Sequence, residues 1–265
     1  MTRARSVVLT IAGFDPSGGA GIVADIRTLL QFNCWPVAAM TSLTFQNRNA
    51  MFGATHETAK SLRAQIVPIV EDTKIAAVKV GMLPTADLII EVRCLIDEGR
   101  LPRPVIDPVL KSSSGYELME PGAIEIFKRE LLPLALVITP NIPEAEALSG
   151  LTISDEESMR AAAGELRRLG ADAVLVKGGH AGQMSGVRSQ ESGDRHATDI
   201  LDDGGAIHVF RDEWIEGPPV RGTGCMLSSA IAAGLANGED LPRAVAAAKQ
   251  FVAGEIQSSK FKLQN

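Results

Sequence analysis

The chain has 265 residues, 45% of them hydrophobic and 22% charged, which is enough apolar surface for one large core and implies no disorder. A net charge of −6, with no large cluster of Lys and Arg, argues against a nucleic-acid binder. The three cysteines, Cys34, Cys94 and Cys225, are too few and too scattered for a disulfide framework or a zinc motif, and a reducing cytoplasm is the expected setting. Residues 6–13 are too short, and too soon interrupted by Asp15 and Pro16, to make a signal peptide. No apolar run reaches the length of a membrane span. The length suits a single α/β domain over 1–265.

In chain order, residues 7–12 form a short apolar run that predicts a buried strand, followed by a glycine-rich turn and a helix near 20–31. Residues 37–45 are rich in β-branched types and predict a second strand. Helical spacing over 58–71 leads into a strand at 76–80. A helix follows at 85–97, with Thr85 as its N-cap. The pattern continues with strand 105–109, helix 121–132, strand 136–139 and helix 154–169. That last helix opens with Ser154 as cap before acids that suit the helix dipole. A strand at 173–177 precedes a polar, glycine-bearing loop over 178–195. Residues 199–210 predict a hairpin turning at Gly204-Gly205, and two helices close the chain from Thr223 and over 241–258. Such strand–helix alternation predicts an α/β fold with a mostly parallel central sheet and helices on both faces.

Several segments could carry chemistry. Gly222-Thr223-Gly224-Cys225 runs directly into a helix, so glycine backbone and free helix N–H groups make a preformed anion site; a plain helix entry is the bland alternative. Residues 13–21 (GFDPSGGAG) place four glycines and a proline after the first strand, where α/β sheets bind ligands, although neither a Walker loop nor GxGxxG is present. Thr139-Pro140-Asn141 with Glu144 places an amide and an acid three apart, a pair that can order metal-bound waters or simply cap a helix. Lys177 leaves a buried strand, which is costly without a partner such as a phosphate. His180 receives no role. Gln46 offers a donor and an acceptor together, suited to a heteroaromatic edge, or is an ordinary loop residue.

The order of AGFDPSGGAG (12–21), TFQN (44–47), VKVGML (78–83), DPV (107–109), TPNIPEAEAL (139–148), LVKGGH (175–180) and GTGCMLSSAIAAGLA (222–236) resembles the bacterial hydroxymethylpyrimidine/phosphomethylpyrimidine kinases, across about 7–252. The resemblance implies a ribokinase-like fold and ATP-dependent phosphorylation of 4-amino-5-hydroxymethyl-2-methylpyrimidine and of its monophosphate, in thiamine biosynthesis. It implies that Gln46 binds the pyrimidine and that Ala20, Met82 and Val109 line its pocket. By the same likeness Gly222, Thr223, Gly224 and Cys225 form the catalytic anion hole, Lys177 lies near ATP, and Asn141 with Glu144 orders Mg2+ through water. A homodimer is also implied. The chain departs from the family's usual residues at Phe14, Val23 and Arg221, the last of which replaces a common His. Phosphoryl transfer would then set the alcohol before Cys225, whose thiolate the helix dipole is expected to favour, with a pKa below about 8.5. The competing readings are a pyridoxal kinase of the same reaction class and a non-catalytic binding protein on this fold.

Overall fold

A computed structural model describes residues 4–47, 50–112, 115–179, 196–215 and 220–262. The strands are β1 (Val7–Phe14), β2 (Trp35–Gln46), β3 (Met51–His56), β4 (Ala77–Val80), β5 (Val105–Ile106), β6 (Val137–Ile138), β7 (Val174–Lys177), β8 (His196–Asp202) and β9 (Ile207–Glu213). They form one nine-stranded sheet in the order β3-β2-β1-β4-β5-β6-β7-β8-β9. Neighbours from β2 through β7 are parallel, whereas β3, β8 and β9 join antiparallel.

The crossover helices are α1 (Gly21–Gln31), α2 (Ala59–Asp72), α3 (Ala86–Asp97), α4 (Ala123–Ile126), α5 (Ile142–Ser149), α6 (Glu156–Arg168), α7 (Thr223–Ala236) and α8 (Leu241–Lys262). α4 continues through a π turn (Phe127–Leu131) and a 3-10 turn (Leu132–Leu134), where Pro133 cannot prolong the ladder. Alternation along the strands divides their side chains between two apolar layers. Leu9, Ile11, Ile106, Ile138 and Val176 pack on α2 to α6, while Val8, Val105, Val137 and Leu175 pack on α1, α7 and α8. α7 lies against the sheet and is apolar all round, with a continuous buried run from Leu227 to Gly234.

Local chemistry sets most boundaries. Thr58 and Thr85 accept the N–H groups of Ser61 and Leu88 at the starts of α2 and α3. At α6 the cap is Asp155, not the expected Ser154. Its extended backbone lets the carboxylate accept the Ser158 N–H at 2.8 Å, while Ser158 Oγ accepts the Asp155 N–H at 3.0 Å. β3 was not anticipated. It is a half-exposed edge strand, with neither an apolar run nor clean alternation to mark it. The loop expected at 178–195 lies outside the described residues from His180 onward. Among the described residues no helix is long and apolar enough to cross a membrane.

The order β2-β1-β4 reverses direction at β1, because the chain moves from β1 to one neighbour and later returns to the other side. The crevice outside the strand ends at such a reversal is where open α/β sheets bind ligands. The glycine loop after β1 opens into it.

Candidate active site

The carboxyl ends of the strands gather nearly every residue singled out above. The loop after β1 carries Ala20, the residue preceding α1. Met82 follows β4, and a methyl group on Gly13 would sit 3.0 Å from its sulfur. Thr41 Oγ1 holds the Met82 carbonyl at 2.8 Å. Gln46 is the last residue of β2. Val109 lies just past β5, its N–H on the Asp107 carbonyl at 2.9 Å. Lys177 ends β7, beside Asn141 at the start of α5.

Gly222 makes the turn into α7. Its φ of 77° is left-handed, and a Cβ there would fall 2.1 Å from the Gly19 carbonyl oxygen. Only glycine satisfies both conditions. The GTGC turn therefore packs directly on the glycine loop, and two helix N-termini, those of α1 and α7, converge on one spot. The Gly21 N–H hydrogen-bonds to the Cys225 side chain there. On the other side of the turn, a methyl on Gly224 would lie 3.3 Å from Lys177 Nζ and 3.4 Å from Asp107 Oδ2. Lys177 Nζ donates to Asp107 Oδ1 at 2.9 Å. The structure thus brings Gly222, Thr223, Gly224, Cys225 and Lys177 together.

The Lys177 strand end is itself fixed. Asp199, on β8, accepts the Gly178 N–H at 2.8 Å and the Lys249 ammonium of α8 at 2.6 Å, both buried. Burial works against the Lys177 charge, but Asp107 and Glu144 outweigh it and hold the ammonium above the ordinary lysine range. Glu144 is buried and pushed up to about 7, with Lys177 opposing the shift.

Asn141 and Glu144 take the helix-start alternative. Asn141 Oδ1 accepts the Glu144 N–H at 2.9 Å, and Glu144 Oε2 accepts the Asn141 N–H at 2.8 Å, a reciprocal capping box. The Glu144 carboxylate also accepts the Leu110 N–H.

Cys225 corrects the expected thiolate. Burial pushes the thiol up to about 11, although Lys79 pulls the other way. The helix dipole acts here on a partly buried thiol, and the cost of desolvating a thiolate exceeds what the dipole returns. That shift favours the neutral thiol at physiological pH. Cys94 is partly buried on α3, whereas Cys34 is fully buried.

Beneath the turn lies a charged cluster that the sequence reading passed over. Lys79 of β4 and Asp25 of α1 are both fully buried and pair at 2.9 Å. Asp25 also accepts Thr10 Oγ1 at 2.6 Å and Ser229 Oγ of α7 at 2.9 Å. Burial would lower the Lys79 pKa, but Asp25 reverses this and raises it. Lys79 interrupts a buried four-residue strand, so by the same cost as Lys177 it was legible in the sequence. Asp107 could have been found as the acid closing β5. Arg221, noted only as a departure, proves to be a bridge: its Nη2 donates to Gln46 Oε1 at 2.6 Å, and its Nη1 donates to the Asn47 carbonyl.

A mostly parallel sheet with a glycine turn opening a helix at its carboxyl edge, close to a side-chain amide, is the architecture of a ribokinase-like small-molecule kinase. The phosphomethylpyrimidine kinase family profile matches residues 15–265, and the chain belongs to that family. It is 38% identical over 251 residues to the hydroxymethylpyrimidine/phosphomethylpyrimidine kinase of Bacillus subtilis, covering 95% of this chain and 89% of that one. It is 41% identical to the thiamine biosynthesis bifunctional protein ThiED of Geobacter sulfurreducens, covering 96% of this chain but spanning only 49% of that longer protein. The pyridoxal kinase of Staphylococcus aureus, solved with AMP-PCP and pyridoxal, superposes with a TM-score of 0.82 at 30% identity, over 94% of this chain and 87% of that one.

Proposed function

We propose that this protein transfers the γ-phosphoryl group of ATP to the hydroxymethyl oxygen of 4-amino-5-hydroxymethyl-2-methylpyrimidine, and then phosphorylates the resulting monophosphate. One observation carries the reading. The anion turn of α7 rests on the glycine loop and reaches Gln46 through Arg221, so a phosphoryl cradle and a polar ring-edge contact share one crevice.

The chemistry follows from this chain's groups. Gln46 holds the ring, with Ala20, Met82 and Val109 as walls. The N–H groups opening α7 accept the negative charge of the transferring group, helped by Lys177. A neutral Cys225 does not deprotonate the alcohol at the outset. Its sulfur faces the alcohol as a weak acceptor that orients the O–H, and the proton passes late to an oxygen of the transferring phosphoryl group as ADP leaves, as suits a loose transition state in which positioning and charge stabilisation dominate.

The donor set fits a nucleotide polyphosphate, with an ammonium and free helix N–H groups side by side. Asn141 and Glu144 retain lone pairs for the water shell of Mg2+, the usual way that ion is held. Bound there, Mg2+ supplies charge neutralisation of the phosphates. Action in the cytoplasm on small-molecule substrates, as a homodimer, completes the proposal. Leu43 and Phe45 on β2 and Phe52 on the neighbouring edge strand β3, all exposed, support the dimer.

The test is ADP release by the purified chain with Mg-ATP and either the aminopyrimidine alcohol or pyridoxal. Turnover with the pyrimidine at least about tenfold more efficient supports the reading. Preference for pyridoxal would reassign the substrate, and no turnover with either would point to a binding protein.

A further inference from the structure

Arg221 sits immediately before the turn of α7, yet its guanidinium is spent on the far wall of the crevice. Nη2 reaches Gln46 Oε1 at 2.6 Å, and Nη1 reaches the Asn47 carbonyl. Gln46 Nε2 in turn donates to Thr44 Oγ1 at 2.9 Å. The Thr44 hydroxyl proton is already committed to the Phe14 carbonyl at 2.9 Å.

A glutamine amide has nearly the same shape in its two flipped orientations, and only its partners choose between them. Arginine carries donors alone, so it requires the amide oxygen. Thr44 has no proton left to give, so it requires the amide nitrogen. Both ends therefore select one orientation. Among the described residues, that leaves Gln46 with one unspent N–H and one unspent oxygen lone pair in a fixed order.

The geometry points to Arg221 as a specificity-determining positioning residue: by locking the Gln46 amide, it tunes the pocket to a ring edge that sets a hydrogen-bond acceptor beside a donor. In the aminopyrimidine alcohol, a ring nitrogen next to the exocyclic amino group presents that edge. An alcohol with a different edge leaves a buried polar group unpaired, which is the costly outcome in such sites. The inference rests on the function proposed above. It assigns Arg221 no contact with the reacting atoms.

The test is a double-mutant cycle of Arg221→Met and Gln46→Ala, read by kcat/KM for the aminopyrimidine alcohol and for pyridoxal, by KM for ATP, and by calorimetric binding of the aminopyrimidine alcohol. In the Gln46 background, Arg221→Met should weaken the aminopyrimidine about tenfold, mainly in KM, narrow its preference over pyridoxal, and leave KM for ATP unchanged. In the Gln46→Ala background the same substitution should change nothing further. An undiminished effect in that background, an unaltered preference with Gln46 intact, or no binding to the wild-type protein overturns the inference. Coupled binding without any turnover would instead sink the assigned reaction and leave the role of Arg221 standing.

Discussion

The Lys79 ammonium is fully buried, and its charge is sustained chiefly by Asp25, itself satisfied by Thr10 and Ser229. Removing one partner of such a pair leaves an uncompensated charge. Asp25→Ala should cost about 3–5 kcal/mol, measured by urea unfolding, and should disturb α7 because Ser229 loses its acceptor. Cys225 offers a second residue-scale prediction. Cys225→Ala should lower kcat about 100-fold while KM for ATP stays within about twofold, by steady-state kinetics. The neutral thiol should also react slowly with iodoacetamide at neutral pH and faster as the pH approaches 11. The same shift has a sign in stability. The folded value, about 11, lies above the ordinary 9.0, so the contribution is full below pH 9 and is lost as the pH rises through 11. Wild type should therefore lose stability relative to Cys225→Ala across that window, by denaturant titration at stepped pH.

At the scale of elements, the turn of α7 depends on one backbone conformation. Gly222→Ala would meet both a left-handed φ and the Gly19 carbonyl, so the turn must lift away from the glycine loop. Expected is a loss of kcat/KM of at least about 100-fold, with retained helical circular dichroism. The caps are milder. Asp155→Ala should cost about 1 kcal/mol and leave activity intact, because α6 lies on the face remote from α7. Element types and caps were largely legible, since each rests on a local pattern: Thr85 before α3, strand 173–177, the Gly204-Gly205 hairpin. The edge strand β3 was not. Its residues, MFGATH, are held by pairing with β2 rather than by their own periodicity. The capping box at Asn141 and Glu144 was visible as one of two readings, and the metal-ordering role remains a proposal beside it.

For the whole molecule, two apolar layers share a single sheet, so neither can melt alone. One cooperative unfolding transition by calorimetry would support the single domain expected from the chain length. If the proposed homodimer uses the exposed edge at Phe52, which is 70% accessible, Phe52→Asp should give a monomer in light scattering where the wild type gives a dimer. What the sequence by itself determined was the succession of strands and helices, the glycine-rich turns and the family likeness, because all are written in neighbouring residues. The tertiary structure alone decided which strand ends face one another, that Arg221 grips Gln46 across 175 positions of chain, and that burial raises the Cys225 pKa. Those properties depend on burial and on groups distant in sequence, and no local pattern carries either.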